Sequence, residues 1–381
     1  MRVTIASRIF SPEPAAASYR LAALANALDE AGHTVTVLTS TVPGDADSDT
    51  RATVRVKRFP VLRDAAGYVR GYVQYMSFDI PLFFRVLFGR RSDVIVTEPP
   101  PTTGFIVRIA AAIRRTPYVY YAADIWSDAS ESTGAPAFVV RIVRRLESFA
   151  LRGARSVIAV TDGVAVRVRE LGGHDRVSVI RNGIDTTIFT PDGPRIDTPP
   201  LVVYAGTTSE WQGADIFVRA FAKALQAVPD ARLVFLGQGS ARDKLVRLAG
   251  ELKLSAVEFH GVVPPSEAAS WLRSAHAGLV SMKPGQGYDF AYPTKIHAAI
   301  ACGVPVVYAG VGPGREAIEK DRLGYAVDYD DDAVSQALVA VLSAAPTNAE
   351  RARIRAVAVD TVDISAVARR AASVVGEAAR R

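Results

Sequence analysis

A chain of 381 residues is too long for one ordinary hydrophobic core and suits two domains of usual size. Its 49% hydrophobic and 22% charged residues exclude a wholly disordered polymer. The single cysteine, Cys302, excludes an intrachain disulfide and points to a reducing compartment. The opening MRVTIASRIF is a strand pattern without the apolar segment and cleavage site of a leader peptide. The apolar stretch 105–113 is broken by Arg108 and is too short to span a bilayer. A cytoplasmic protein is expected.

The net charge is +6, and residues 1–185 hold all of it, with 24 basic against 18 acidic side chains; the remainder has 21 of each. Between Arg51 and Arg115 the count is 12 basic to 4 acidic. This field suits either a solvated basic face or attraction to an anionic membrane or phosphorylated acceptor. No zinc-finger or RNA-binding signature accompanies it, so nucleic acid is not expected as a partner.

In chain order, 3–6 reads as a short buried strand. The turn SPEPAAAS follows, then a helix over 19–31 closed by Gly32, and a strand over 34–38. This is a strand–helix–strand unit, the building block of a parallel sheet. Further strands are predicted at 94–96, 118–121 and 157–160. The segment 68–91 mixes aromatics, aliphatics and arginines. It reads either as a membrane-surface segment or as a helix pair split at Pro81. The pattern restarts with strands at 201–205, 232–236, 257–259, 277–280 and 304–308 and a helix at 214–228. The Gly-, Pro-, Asp- and Thr-rich stretch 181–200 marks the joint. The prediction is an α/β protein of two doubly wound domains, 1–185 and 186–364, with a last helix at 365–381 joining the first. Ligands of open parallel sheets sit beyond the carboxyl ends of strands, so two such sheets predict a cleft between them.

Several familiar signals lead nowhere. LGQGS, with Gly237 and Gly239, lacks the third glycine and the following acid of a dinucleotide site and reads as a tight turn. The five histidines are scattered, and the Asp-rich runs 45–49 and 328–332 lie in predicted turns, so no metal site is expected. The informative segment is YDFAYPTKIHAAIACGVPVVYAG, 288–310. Pro293 suits the first turn of a helix, which places Thr294 and Lys295 among free amides that favour an anion such as a diphosphate. Lys283, at the end of the preceding strand, is placed to reach the same anion.

Read together, these segments resemble family 4 of the retaining glycosyltransferases, which has the two-domain GT-B fold. The likeness covers nearly the whole chain: the opening strand, loop and helix of 8–40, YYAADIWSDAS, VIRNGIDTTIF, VYAGTTSEWQGADIF and PTKIHAAIACGVPVV. It implies a nucleotide-sugar donor, a uridine type favoured, on the C-terminal domain. It implies a sugar, lipid-linked or small-molecule acceptor on the N-terminal domain, retention of configuration, and no cofactor or metal. Carried over residue by residue, it assigns catalysis to Asp124 and Lys295. It assigns the donor to Gly206, Thr207, Gln212, Lys283, Asp289, Tyr292 and Thr294, and the acceptor side to Ala15, Ala16, Arg20 and Trp126. The chain departs from the family at Thr207 and Gln212, where arginine and lysine are usual. It departs also at Phe290 and Ala298, where a pair of glutamates is usual, the second holding the ribose. Pro14 to Ser18 replaces a glycine-rich loop. A non-catalytic partner subunit and a nucleotide-sugar epimerase are the rival readings.

Overall fold

The computed structural model describes the whole chain except residues 14, 43–49, 65, 66, 68, 70, 133, 174, 197, 287, 290 and 381. Pro14, the acidic run 45–49 and Phe290 therefore lie outside the described residues. The chain divides into two compact units, one of residues 1–182 and 364–381, the other of 183–363. The break falls three residues before the boundary expected at 185.

The first unit runs β1 (Arg2–Ala6), α1 (Ala16–Glu30), β2 (Thr34–Ser40), β3 (Arg55–Phe59), α2 (Tyr72–Phe88), β4 (Val94–Thr97), α3 (Pro101–Arg114), β5 (Tyr118–Ala122), α4 (Trp126–Ser132), α5 (Ala137–Gly153), β6 (Ser156–Ala159), α6 (Asp162–Gly172) and β7 (Val177–Val179). Its seven strands are parallel in the order β3-β2-β1-β4-β5-β6-β7. The order reverses between β1 and β4, so the carboxyl ends of these strands form the crevice in which such sheets bind ligands. Helix α2 is one helix, so of the two readings of 68–91 the pair split at Pro81 is not what forms. Pro81 sits in its interior, where a proline costs about 3 kcal/mol. The buried face of Tyr75, Phe78 and Leu82 offsets that cost through burial.

The second unit runs β8 (Leu201–Ala205), α7 (Asp215–Ala224), β9 (Arg232–Leu236), α8 (Arg242–Glu251), β10 (Val257–His260), α9 (Pro265–Ser274), β11 (Ala277–Met282), α10 (Lys295–Ala301), β12 (Val306–Gly310), α11 (Pro313–Lys320), β13 (Gly324–Val327), α12 (Asp331–Ser343) and α13 (Asn348–Val362). Its six strands are parallel in the order β10-β9-β8-β11-β12-β13. Alternate residues feed two cores. Val203, Val234, Val280 and Val306 face Leu272, Ile300 and Ile354. Val202, Leu233, Leu279 and Val307 face Phe217, Phe221 and Leu338. Helices on both faces require strands apolar on both faces, which is why these strands read as continuous apolar runs. The final helix, α14 (Ile364–Arg380), returns to the first unit and packs on α1 and on β4 to β6.

Candidate active site

The donor-side residues lie in the loops that follow β8 and β11, up to the start of α10. Gly206 follows β8 with φ +129°, a conformation that favours glycine. A Cβ there would lie 3.0 Å from Lys295 Cε, so the glycine lets the lysine run along the loop. The neighbouring turn is as tight: a Cβ at Gly237 would lie 2.5 Å from the Gly206 carbonyl oxygen, and one at Gly239 would lie 2.6 Å from the Thr208 nitrogen. LGQGS is thus a close-packed turn supporting the 206–213 loop. Thr208 N donates to the Gln238 carbonyl at 3.1 Å, and Ala241 N to the Thr208 carbonyl at 2.9 Å.

Lys295 opens α10 half-buried, with Nζ 5.1 Å from the Tyr204 ring centre. No described carboxylate pairs with it. Desolvation, unopposed by any described counter-charge, pulls its ammonium down to about 7. A cation held without an anion in partly dry surroundings gains most from an anionic ligand. Lys283 stands exposed after β11, its amide on the Trp211 carbonyl at 3.2 Å. A Cβ at Gly213 would lie 2.9 Å from Lys283 Cβ. One loop therefore touches Lys295 at its start and Lys283 at its end.

The other donor-side residues divide into open and structural groups. Thr207 and Thr294 are exposed, and Thr294 caps no helix amide. Gln212 is buried, and its Oε1 accepts from Ser209 N and Tyr204 Oη, each at 3.1 Å. It closes a capping box on the 210–212 turn rather than presenting its oxygen to a ligand. Both oxygens of Asp289 accept from Gly285 N at 3.2 Å, pinning the 283–289 loop. Tyr292 leans on the His297 ring at 5.1 Å. Ala298 is buried in the core under β11 and β12 and offers no acceptor to a ribose.

In the first unit, Asp124 follows β5, exposed at the strand's carboxyl end. The protein mass around it raises its carboxyl, Arg20 opposes this, and Glu98 adds to it. Ala15 precedes α1 and Ala16 opens it; no side chain caps this helix end, and Ala16 is exposed. Arg20 is buried. Its Nη2 donates to Glu98 Oε2 at 2.7 Å and its Nη1 to Asn182 Oδ1 at 3.0 Å, over the Tyr121 ring at 4.9 Å. Ser7 Oγ donates to the other Glu98 oxygen at 2.6 Å. Arg20, read as a free acceptor-side cation, thus has its charge answered within the protein. Sequence reasoning missed Glu98, although an acid directly after the apolar run of β4 marks a strand end. Trp126 is half-buried at the start of α4, whose first amides donate to the buried Glu147 at 2.8 and 3.0 Å.

The second acidic run is structural. Asp328 pairs with Arg315 at 2.7 Å, Asp331 with Arg219 at 3.0 Å, and Asp332 with Lys223 at 2.5 Å, while Asp330 caps α12. Among the described residues no three His, Cys, Asp or Glu side chains gather as metal ligands.

Two units, each with a parallel, doubly wound sheet, are the architecture of the GT-B glycosyltransferases that superpose on this chain. Residues 16–183 match the family model described as a glycosyl transferase 4-like domain, and residues 199–344 match glycosyl transferases group 1. The first match coincides closely with the first unit, and the second lies within the second unit. D-inositol 3-phosphate glycosyltransferase of Xylanimonas cellulosilytica is 32% identical over 237 residues, 54% of this chain and 53% of that protein. The chain spans about half the length of the curated relatives it matches. Sucrose-phosphate synthase from Thermosynechococcus elongatus superposes with TM-score 0.77 at 18% identity, covering 99% of this chain and 98% of that one. Anabaena HepE in complex with UDP and glucose superposes with TM-score 0.72 at 16% identity, covering 99% and 100%. At these identities the two structures show a shared fold alone.

Proposed function

We propose that the protein is a retaining, metal-independent glycosyltransferase acting in the cytoplasm on a nucleoside-diphosphate sugar, with a UDP-sugar favoured. The second unit holds the donor and the first unit the sugar, lipid-linked or small-molecule acceptor. The observation that carries this reading is Lys295: a desolvated lysine with no carboxylate partner among the described residues, lying along Gly206, where a Cβ would come within 3.0 Å of its side chain. The relatives' names and the UDP bound to HepE support it. In the reaction, the bond from the anomeric carbon to the diphosphate breaks with its electron pair leaving on the diphosphate. Lys295 and Lys283 stabilise that charge. The acceptor oxygen bonds on the face the diphosphate leaves, and its proton passes to the departing phosphate oxygen. The two lysines supply the charge that a metal ion supplies elsewhere. Asp124 orients the acceptor hydroxyl or the sugar, with Trp126 shaping the pocket.

The test is UDP release from a panel of UDP-sugars with added acceptors in EDTA, with the product anomer read by proton NMR. EDTA-resistant release with a retained anomer supports the reading. Sugar interconversion without an acceptor favours an epimerase, and turnover only with a co-purifying protein favours a partner subunit.

We also propose that the first unit rests on an anionic membrane surface. Val73, Ile80, Phe84 and Phe88 form one exposed stripe on α2, with Phe88 77% exposed. Beside it Arg85, Arg90, Arg91 and Arg114 line a groove at the amino ends of β1 to β4. Exposed apolar side chains flanked by arginines suit an interfacial helix. No described helix is long and apolar enough to cross a membrane. F84E with F88E should abolish sedimentation with phosphatidylglycerol vesicles; undiminished sedimentation would refute the contact.

A further inference from the structure

Arg8 follows β1 at the carboxyl end of the strand, on the side of the first unit where Asp124 and Trp126 lie. Its guanidinium sits 4.9 Å from the Tyr75 ring centre and 5.8 Å from that of Trp126. The two rings meet edge to face at 5.7 Å, forming a corner that fixes the cation's plane. Its fork of donors makes one hydrogen bond among the described residues, from Nη1 to the Val69 carbonyl at 2.8 Å, and its buried Nε has none. The neighbouring cations differ. Arg20 is paired with Glu98 at 2.7 Å and Arg63 with Glu13 at 3.2 Å, and Arg58 donates to the carbonyls of Ser11 and Ser40. The buried Asp79 acts on Arg8 through space, but its Oδ1 takes the Thr103 hydroxyl at 2.6 Å and no ion pair forms.

We infer that the acceptor bears a phosphate or carboxylate, and that Arg8, braced by Tyr75 and Trp126, binds it. Held on the two rings with its Nε buried, the planar guanidinium keeps Nη2 and the second Nη1 proton for a ligand, an end-on fork that can grip an oxyanion through two parallel bonds. The placement against the Trp126 ring, after β1, puts this fork at the strand ends where the acceptor would lie. The inference rests on the reading that the first unit holds the acceptor.

The experiment is calorimetric titration of the full chain with D-inositol 3-phosphate, neutral inositol and inorganic phosphate, with UDP titrated in parallel. Wild type should bind the inositol phosphate at least about tenfold tighter than inositol. Arg8→Ala should erase that preference, and Arg8→Lys should keep part of it, since lysine retains charge without the fork. Thermal unfolding reports whether each variant folds, and Arg8→Gln replaces alanine if it does not. Equal binding of both inositols by wild type, or an undiminished preference in the folded Arg8 variant, would overturn the inference. UDP binding without anion preference removes the anionic acceptor and leaves the transferase reading. Anion preference lost in Arg8→Ala, with no nucleotide bound, removes the transferase reading and leaves the anion site.

Discussion

Arg20 in the first unit and Lys295 in the second are both cations beside strand ends, yet the protein treats them oppositely. Arg20 is buried against Glu98, which Ser7 in turn orients, and Asn182 takes a further donor. Its charge is spent on the fold. Lys295 has a tyrosine face beneath it, a glycine loop alongside and no described carboxylate in contact. Its charge is left unanswered among the described residues. The comparison teaches that a cation at a strand end is a binding residue only when nothing in the chain already answers it.

This contrast can be broken by mutation. Arg20→Ala leaves Glu98 buried and uncompensated, and it should cost about 3–5 kcal/mol in urea unfolding. A loss below about 1 kcal/mol would mean that the pair is not what holds this region. Lys295→Ala should lower turnover by about 10²–10³ without lowering the urea midpoint. A joint collapse of stability and activity would put Lys295 with Arg20 as a structural cation. The pH dependence sharpens the point. Because the folded-state lysine sits near 7 and the unfolded one near its usual 10.5, the unfolded chain holds more protons in between. The apo protein should therefore gain stability as pH rises from about 7 toward 10.5, and Lys295→Ala should lose that gain. Nucleotide binding runs the other way, weakening above about pH 7 with proton uptake, which calorimetry in buffers of different ionisation enthalpy would read. The smallest effect belongs to Lys283→Ala. This exposed, solvent-screened lysine should weaken UDP by a few-fold at low salt and less at high salt.

The buried strands were legible because helices on both faces make them unbroken apolar runs, as in Leu201–Ala205. The three strands that escaped, β3, β7 and β13, all lie at sheet edges. There an exposed or mixed pattern such as RVKRF carries no apolar run. In the site, Lys295 and Gly206 were legible one by one because each stands at a helix start or strand end, where local rules apply. Gln212 and Asp289 read as ligand groups, but their oxygens serve backbone amides of their own loops, a use that composition does not reveal. Arg8 and Glu98 escaped for a different reason. Their meaning comes from Tyr75, Trp126 and Arg20, which lie far away in sequence and meet only through the sheet.

The most direct test of the donor site is calorimetric titration of UDP, GDP, ADP and TDP into wild type and Lys295→Ala, with and without EDTA. The account predicts that one nucleotide binds wild type whether or not EDTA is present, and that its affinity falls about 100-fold in the variant. Binding of none of the four, or equal binding by the variant, would contradict it.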